Sequence, residues 1–161
     1  SGFWTLWYVN GEIKESGNYF DREKFGKWIK WNEQKKKTAE GNYKNDKKFD
    51  TWSYWNDKEV KLEEGNYDND EKVGQWNYWD NDGKQSAQGD FKNNKKDGMW
   101  IYWYGYNNIV SSKGEYRDDL KVGTWVYWYD NGYKKEEVNF KNGSQVSSLC
   151  WDRLGKEIDC R

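Results

Sequence analysis

Short stretches in which bulky apolar residues alternate with polar ones recur along the chain, as in Gly74-Gln75-Trp76-Asn77-Tyr78-Trp79 and Gly89-Asp90-Phe91. A period of two is the signature of a half-buried β-strand, and these stretches are rich in Trp, Tyr, Val and Ile, which favour strands. Between them lie dipeptides that accept positive φ: Asn10-Gly11, Asp82-Gly83 and Asn131-Gly132 after one type of stretch, and Asn45-Asp46, Asn69-Asp70, Asn93-Asn94 and Asn142-Gly143 after the other. Such pairs suit tight hairpin turns. Proline is absent, so nothing interrupts a hydrogen-bonded ladder.

The pattern is periodic. Trp4, Trp28, Trp52, Trp76, Trp100 and Trp125 are separated by 24, 24, 24, 24 and 25 residues. Each is followed three positions later by a second tryptophan: Trp7, Trp31, Trp55, Trp79, Trp103 and Trp128. Twelve of the 13 tryptophans fall in these two columns. The extra residue of the fifth copy lies within Tyr104-Gly105-Tyr106-Asn107-Asn108-Ile109, in a turn, where insertions are tolerated. Gly2, Gly26, Gly74, Gly98 and Gly123 precede the first Trp by two, with Asp50 as the exception. A second column, Gly17, Gly41, Gly65, Gly89 and Gly114, precedes Tyr19, Tyr43, Tyr67, Phe91 and Tyr116, and Val138 takes its place before Phe140.

A fixed period of this length predicts an all-β tandem array, an elongated antiparallel sheet of about six 24-residue hairpin repeats, as a single layer or an open solenoid. The copies fall at about 2–25, 26–49, 50–73, 74–97, 98–122 and 123–145, with residues 146–161 as a C-terminal capping hairpin. Twelve strands spaced about 4.8 Å apart would extend on the order of 55 Å.

Alternation divides each strand between two faces. Gly74, Trp76 and Tyr78 share one and Gln75, Asn77 and Trp79 the other; the register of the second strand decides which face Gly89 and Phe91 join. If they join Trp76, that face is a core of Gly, Trp, Tyr and Phe in which glycines leave room for indole rings. The opposite face then carries Asn18, Asn42, Asn66, Asp90, Glu115 and Asn139, with Thr51, Ser53, Gln75 and Asn77, around the second tryptophans. Trp7, Trp31, Trp55, Trp79, Trp103 and Trp128 are thus the candidate contact surface, since Trp favours sugars, cations and partner hot spots. The competing reading is structural: lysine stems cover these indoles and stiffen the sheet.

Composition narrows the picture. Aromatics are 20% of the chain and all hydrophobic residues 34%, so the core must be largely aromatic. The charges nearly cancel, 27 basic against 28 acidic, which makes nucleic acid an unlikely partner. No stretch is long and apolar enough to act as a transmembrane segment. The chain begins Ser1-Gly2, already in register, as expected of a processed chain or an excised segment.

Gly-x-Trp-x-Tyr-Trp, an Asn-Gly turn and Gly-x-Tyr-x-Asn-[Asp/Asn/Gly]-x-Lys together resemble the MORN-repeat variant of YwqK-type bacterial proteins, an antitoxin-like repeat family. Residues 95–104 and Trp128-Tyr129-Asp130-Asn131-Gly132 come close to that repeat, and the tail from Cys150-Trp151-Asp152 to Cys160 looks like its usual ending. The resemblance implies elongated antiparallel sheets used for protein or lipid contact. Asp50, Leu6, Lys30 and the fifth-copy insertion depart from the pattern. The rhythm also looks like choline-binding cell-wall repeats, whose aromatic cages hold a quaternary ammonium or a glycan, although those repeats are shorter.

Catalytic chemistry finds little footing. With no histidine, the commonest general base and metal ligand is missing, and neither a catalytic residue nor a metal or cofactor site is expected. Glu63-Glu64 and Glu136-Glu137 read as solvated strand residues, and Asp80-Asn81-Asp82-Gly83 and Asp68-Asn69-Asp70 as turns rather than calcium loops. Lys35-Lys36-Lys37 and Lys95-Lys96 read as a solvated edge or turn that discourages aggregation. Cys150 and Cys160 flank a short hairpin near Gly155; a disulfide is favoured over two free thiols, and it would favour a location outside the cell, at the cell surface or in a periplasm, with the cytoplasm as the alternative. The expected function is therefore a non-enzymatic module for protein interaction or self-assembly, with a carbohydrate- or choline-binding module as the alternative.

Overall fold

The computed structural model describes residues 1–160. Within them the chain forms 14 strands and no helix: β1 (Gly2–Trp7), β2 (Ile13–Phe20), β3 (Glu23–Trp31), β4 (Lys37–Lys44), β5 (Lys47–Trp55), β6 (Lys61–Asp68), β7 (Glu71–Trp79), β8 (Gln85–Lys92), β9 (Lys95–Trp103), β10 (Val110–Arg117), β11 (Leu120–Trp128), β12 (Lys134–Lys141), β13 (Ser144–Trp151) and β14 (Glu157–Ile158). They hydrogen-bond in sequence order as one open antiparallel sheet. Contacts divide the chain into two compact units, Ser1–Gly83 with β1 to β7 and a second beginning at Lys84 with β8 to β14. The all-β hairpin architecture expected from the period is the one found.

The turns explain the hairpins. Both residues of Asp21-Arg22, Asn45-Asp46, Asn69-Asp70, Asn93-Asn94, Asp118-Asp119 and Asn142-Gly143 have positive φ, the conformation that matches the twist of the flanking strands. Arg22 is the residue least suited to this, with φ 70°. In the other turn type a single residue is left-handed: Gly11, Lys35, Glu59, Gly83, Asn108, Gly132 or Gly155.

Register settles the faces. Gly17 lies opposite Trp28, Gly41 opposite Trp52, Gly65 opposite Trp76 and Gly89 opposite Trp100. Gly and Tyr of the even strands thus join the first-Trp face. A methyl group at Gly17, Gly41, Gly65, Gly89 or Gly114 would overlap the indole of the following strand. Trp28, Trp52, Trp76, Trp100 and Trp125 are accordingly 0–1% exposed. Burying an indole of this size contributes on the order of 4–6 kcal/mol before conformational entropy is counted.

The two glycine columns do different work, a distinction the spacing alone did not reveal. Nothing lies within 4 Å of a Cβ built on Gly26, Gly74 or Gly123, so no indole packs against these glycines and ring packing does not require them. Each has φ between 61° and 65° and marks a register shift, where Gly17/Asn18, for example, faces Trp28/Phe25. This is a β-bulge with a left-handed first residue, which glycine adopts without strain. Asp50 fills the same place at φ 60°. Each bulge carries the indole N–H to a carbonyl: Trp28 Nε1 donates to Asn18 O at 3.1 Å, Trp52 to Asn42 O at 2.9 Å, Trp76 to Asn66 O at 3.1 Å, Trp100 to Asp90 O at 3.0 Å and Trp125 to Glu115 O at 3.0 Å.

Aromatic edges complete the packing. Tyr19, Tyr43, Tyr67, Phe91 and Tyr116 meet the Trp of the next strand edge-on at 4.9–5.2 Å, the arrangement ring quadrupoles favour. Consecutive repeats also lock through the turns. The Asp46 carboxylate accepts the Lys24 backbone N–H at 2.7 Å while the Asp46 N–H donates to Lys24 O; Asp70 does the same to Lys48, and Asp119 to Lys96. The Asn-Asp pair is thus both a turn and a clasp.

The Cys150–Cys160 disulfide forms, with Cα atoms 5.3 Å apart, and ties the segment just after β14 to β13. Ser148 pairs with Val138 and Trp151 follows three residues later, so β13 repeats the odd-strand pattern with serine in the first-Trp place.

Two substitutions separate the glycine roles. Gly65→Ala is expected to cost about 2–3 kcal/mol through overpacking against Trp76, whereas Asp50→Gly is expected to stabilise by about 0.5–1 kcal/mol by relieving a left-handed residue. Urea unfolding of both variants checks this; equal and small effects would contradict the division of roles.

Candidate functional site

On the face opposite the core Trp, the second tryptophans form a row in each unit: Trp7, Trp31, Trp55 and Trp79 in the first, and Trp103, Trp128 and Trp151 in the second. All are partly exposed except Trp7, which is 60% exposed. Trp151, the one tryptophan outside the two sequence columns, continues the row. Its signal was present in the three-residue step from Ser148, masked because the first Trp is missing there.

Lysines separate the indoles. A second bulge in the even strand places Lys37 opposite Trp31 and Lys61 opposite Trp55. Lys37 Nζ sits 3.9 Å from the Trp55 ring, Lys61 Nζ lies 5.8 Å from both Trp55 and Trp79, and Lys134 Nζ lies 4.7 Å from Trp151. At comparable places Ile13 and Val110 face Trp7 and Trp103. The lysines are themselves anchored three residues along the strand, Lys37 to Glu40 at 3.3 Å, Lys61 to Glu64, and Lys134 to Glu137 at 2.8 Å. Burial works against the Glu64 carboxylate, but hydrogen bonds from Lys61 and Ser53 outweigh it and hold its pKa below the ordinary value. Asn66 accepts from Thr51 at 2.9 Å and Asn139 from Thr124 at 2.7 Å, completing a polar ladder around the indoles.

A different lysine row covers the core face. Lys24, Lys48, Lys72, Lys96 and Lys121 place Nζ over Trp28, Trp52, Trp76, Trp100 and Trp125 at 4.1, 4.9, 3.7, 4.1 and 4.3 Å. Each is also anchored by an oxygen. Lys48, Lys96 and Lys121 donate to Tyr54, Tyr102 and Tyr127 at 2.7–2.8 Å, Lys72 reaches Tyr78 and Glu63, and Lys24 donates to Glu15. Where the tyrosine column holds Lys30, Glu15 lies 3.7 Å from that second cation as well. A cation over an indole contributes about 0.5–2 kcal/mol, more as water is excluded. The lysine of Lys95-Lys96 that touches the aromatics is therefore no solvated edge residue: Lys96 lies over the core, while Lys95 pairs with Asp118. Lys35-Lys36-Lys37 is closer to the solvated turn expected: Lys35, exposed, and Lys36, partly exposed, pair with Glu12 and Glu59, and Lys37 pairs with Glu40.

The acidic pairs and turns have comparable local partners. Glu63 binds Lys72 on the core face and Glu64 binds Ser53 on the other, so the two carboxylates point apart. Asp80 accepts from the Asp82 N–H at 2.9 Å, closing its own turn. At the first-type turns, Asn32 binds Asp57, Asn56 binds Asn81, and Asn131 binds Arg153 O, so that these turns are linked to the next one along the chain. Arg153 also pairs with Asp130, which it and Tyr106 hold below the usual carboxylate range. The inserted loop contributes Tyr106, 64% exposed.

No protein-family profile and no curated protein matches this chain.

Burial raises the pKa of Tyr43, Tyr54, Tyr67 and Tyr78 above 10.0, and it lowers Lys48 and Lys96 below 10.5. The phenols stabilise the fold fully below pH 10.0, and that contribution is lost as pH rises further, because the unfolded chain releases those protons first. The lysines act oppositely: their burial cost is relieved as pH rises through their lowered values toward 10.5. Stability is therefore expected to hold or rise slightly to about pH 10 and to fall above it. Urea unfolding followed alongside phenolate absorbance checks this; full tyrosine ionisation near pH 10 in the folded protein would contradict it.

Proposed function

We propose that the protein is a non-enzymatic repeat module that makes contacts with protein through its indole-lysine face, in the manner implied by the MORN-like repeat. The observation that carries this reading is the alternation of partly exposed tryptophans with lysines held by Lys-x-x-Glu pairs, around Trp31, Trp55, Trp79 and Trp128. Such a surface combines apolar area with oriented charge, the composition that dominates protein contacts. The Lys-x-x-Glu pairs favour preorganisation, since each lysine already has an anchor beside the indoles.

A choline-type ligand is the less supported reading. Five first-column tryptophans with their tyrosines already surround an ammonium, supplied by Lys24, Lys48, Lys72, Lys96 and Lys121. A free cation would have to displace a tethered one. The disulfide supports an oxidising setting, extracellular, at the cell surface or periplasmic.

The test is a titration. Tryptophan fluorescence is expected to stay flat with choline and with short glycans, while sedimentation or affinity capture detects self-association or one protein partner. Replacing Trp55, Trp79 and Trp103 together by Ala is expected to weaken that association at least tenfold and leave the far-ultraviolet β signal in place. A saturable response to choline or glycan that the triple variant abolishes would overturn the proposal.

A further inference from the structure

The face opposite the core carries two blocks of open charge in the first unit, one repeat apart and opposite in sign. Lys44 pairs with Lys47 at the end of the β4–β5 hairpin, and Asp68 pairs with Glu71 at the end of the β6–β7 hairpin. Tyr43 and Tyr67 join the core, so their neighbours Lys44 and Asp68, with the residues opposite them, lie on the second-Trp face. All four side chains are exposed. Like charges directly opposite one another destabilise an antiparallel pair. Nothing in the chain relieves that cost: among the described residues none of the four forms an ion pair. The adjacent turn carboxylates, Asp46 and Asp70, are directed at the backbone N–H groups of Lys24 and Lys48. At the other end of the same strands the lysines are neutralised, Lys37 by Glu40 and Lys61 by Glu64.

We propose that this face of the first unit, from β4 to β7, docks against the same face of a second copy of the chain. The two hairpins are consecutive repeats, so the blocks lie at one height along the strands and two strand spacings, about 10 Å, apart. A two-fold axis running between the stacked sheets, parallel to the strands and midway between β5 and β6, exchanges them. Lys44 then comes over Glu71 of the second copy and Lys47 over its Asp68, each contact occurring twice. The axis also matches the other end of the face. Trp55 lies opposite Lys61, and Lys37 and Trp79 hold the equivalent places one repeat away, so Trp55 comes over Lys61 of the second copy and Lys37 over its Trp79. Between the two ends Glu40, Ser53, Glu64 and Asn77 share one level of the ladder. The axis places Glu64 over Ser53 and Glu40 over Asn77, which keeps the carboxylates apart. Phe49, exposed next to Lys44, contributes apolar area. Sheets stacked face to face stand about 10 Å apart, a gap that lysine, glutamate and tryptophan side chains span together.

This inference rests on the protein-contact reading and specifies a second copy as the protein contacted. The experiment is sedimentation of the full chain over a range of concentrations, with three variants: Lys44→Glu with Lys47→Glu, Asp68→Lys with Glu71→Lys, and all four changes together. The unmodified chain is expected to dimerise, more weakly as salt is added. Either double variant should lose at least tenfold in affinity, because its face then bears one sign of charge. An equimolar mixture of the two double variants should dimerise again, and so should the fourfold variant, whose blocks are merely exchanged. Circular dichroism checks folding, and the fourfold variant decides the matter should one double variant fail to fold. A chain that stays monomeric up to about 1 mM, a dimer indifferent to both double variants, or a fourfold variant no better than the doubles would overturn the proposal. A monomeric chain that captures a different protein through Trp55, Trp79 and Trp103 would also overturn it, while leaving the protein-contact function standing.

Discussion

An indole can lie flat against a β-sheet only where the adjacent strand presents no side chain, and this steric requirement organises the protein. The even-strand glycine opens the space, the bulge at Gly26, Gly74 or Gly123 turns the following strand so that the ring enters it, and the freed carbonyl receives Nε1–H. Each element depends on the others. Without the glycine the ring is displaced; without the bulge the N–H loses its acceptor in a buried place, where an unsatisfied donor costs about 1–3 kcal/mol. Because the arrangement links one strand to the next, stability is built from neighbour contacts, as in other repeat proteins.

A sheet with few aliphatic residues also needs something to cover its aromatic face. The lysines at the start of the odd strands serve this purpose, with methylene stems over rings and ammonium groups held by phenolic or carboxylate oxygens. The same device appears on the opposite face with a different partner, glutamate three residues on. Near-neutral net charge therefore conceals an ordered arrangement in which cations and rings alternate on both faces. This explains how a chain that is 34% charged can keep an aromatic core dry.

Much of this was legible in the sequence because period, turn type and facial alternation are local properties. The 24-residue step, the positive-φ dipeptides and the pairing of Cys150 with Cys160 all read directly from residue order. Three features were less accessible. The two glycine columns look identical in sequence, yet one serves backbone conformation and the other ring packing, and only register distinguishes them. Lys96 read as a solvated edge or turn residue, because its reach over Trp100, four positions on, depends on the register shift between them. Trp151 was hidden because Ser148 occupies the place of the first tryptophan. The second-column tryptophans were placed correctly on the face away from the core, but their interleaving with Lys37, Lys61 and Lys134 needed the second bulge to be seen.

The central claim is that glycine, bulge and indole form one interlocked unit, repeated at Trp28, Trp52, Trp76, Trp100 and Trp125. Hydrogen exchange of the tryptophan side-chain N–H groups in the unmodified protein, followed by nuclear magnetic resonance, tests it directly. Five of the 13 indole N–H groups should be strongly protected, those bonded to Asn18, Asn42, Asn66, Asp90 and Glu115, while Trp4 and the second-column residues exchange quickly. Uniform exchange across all 13, or protection concentrated in the second column, would contradict it.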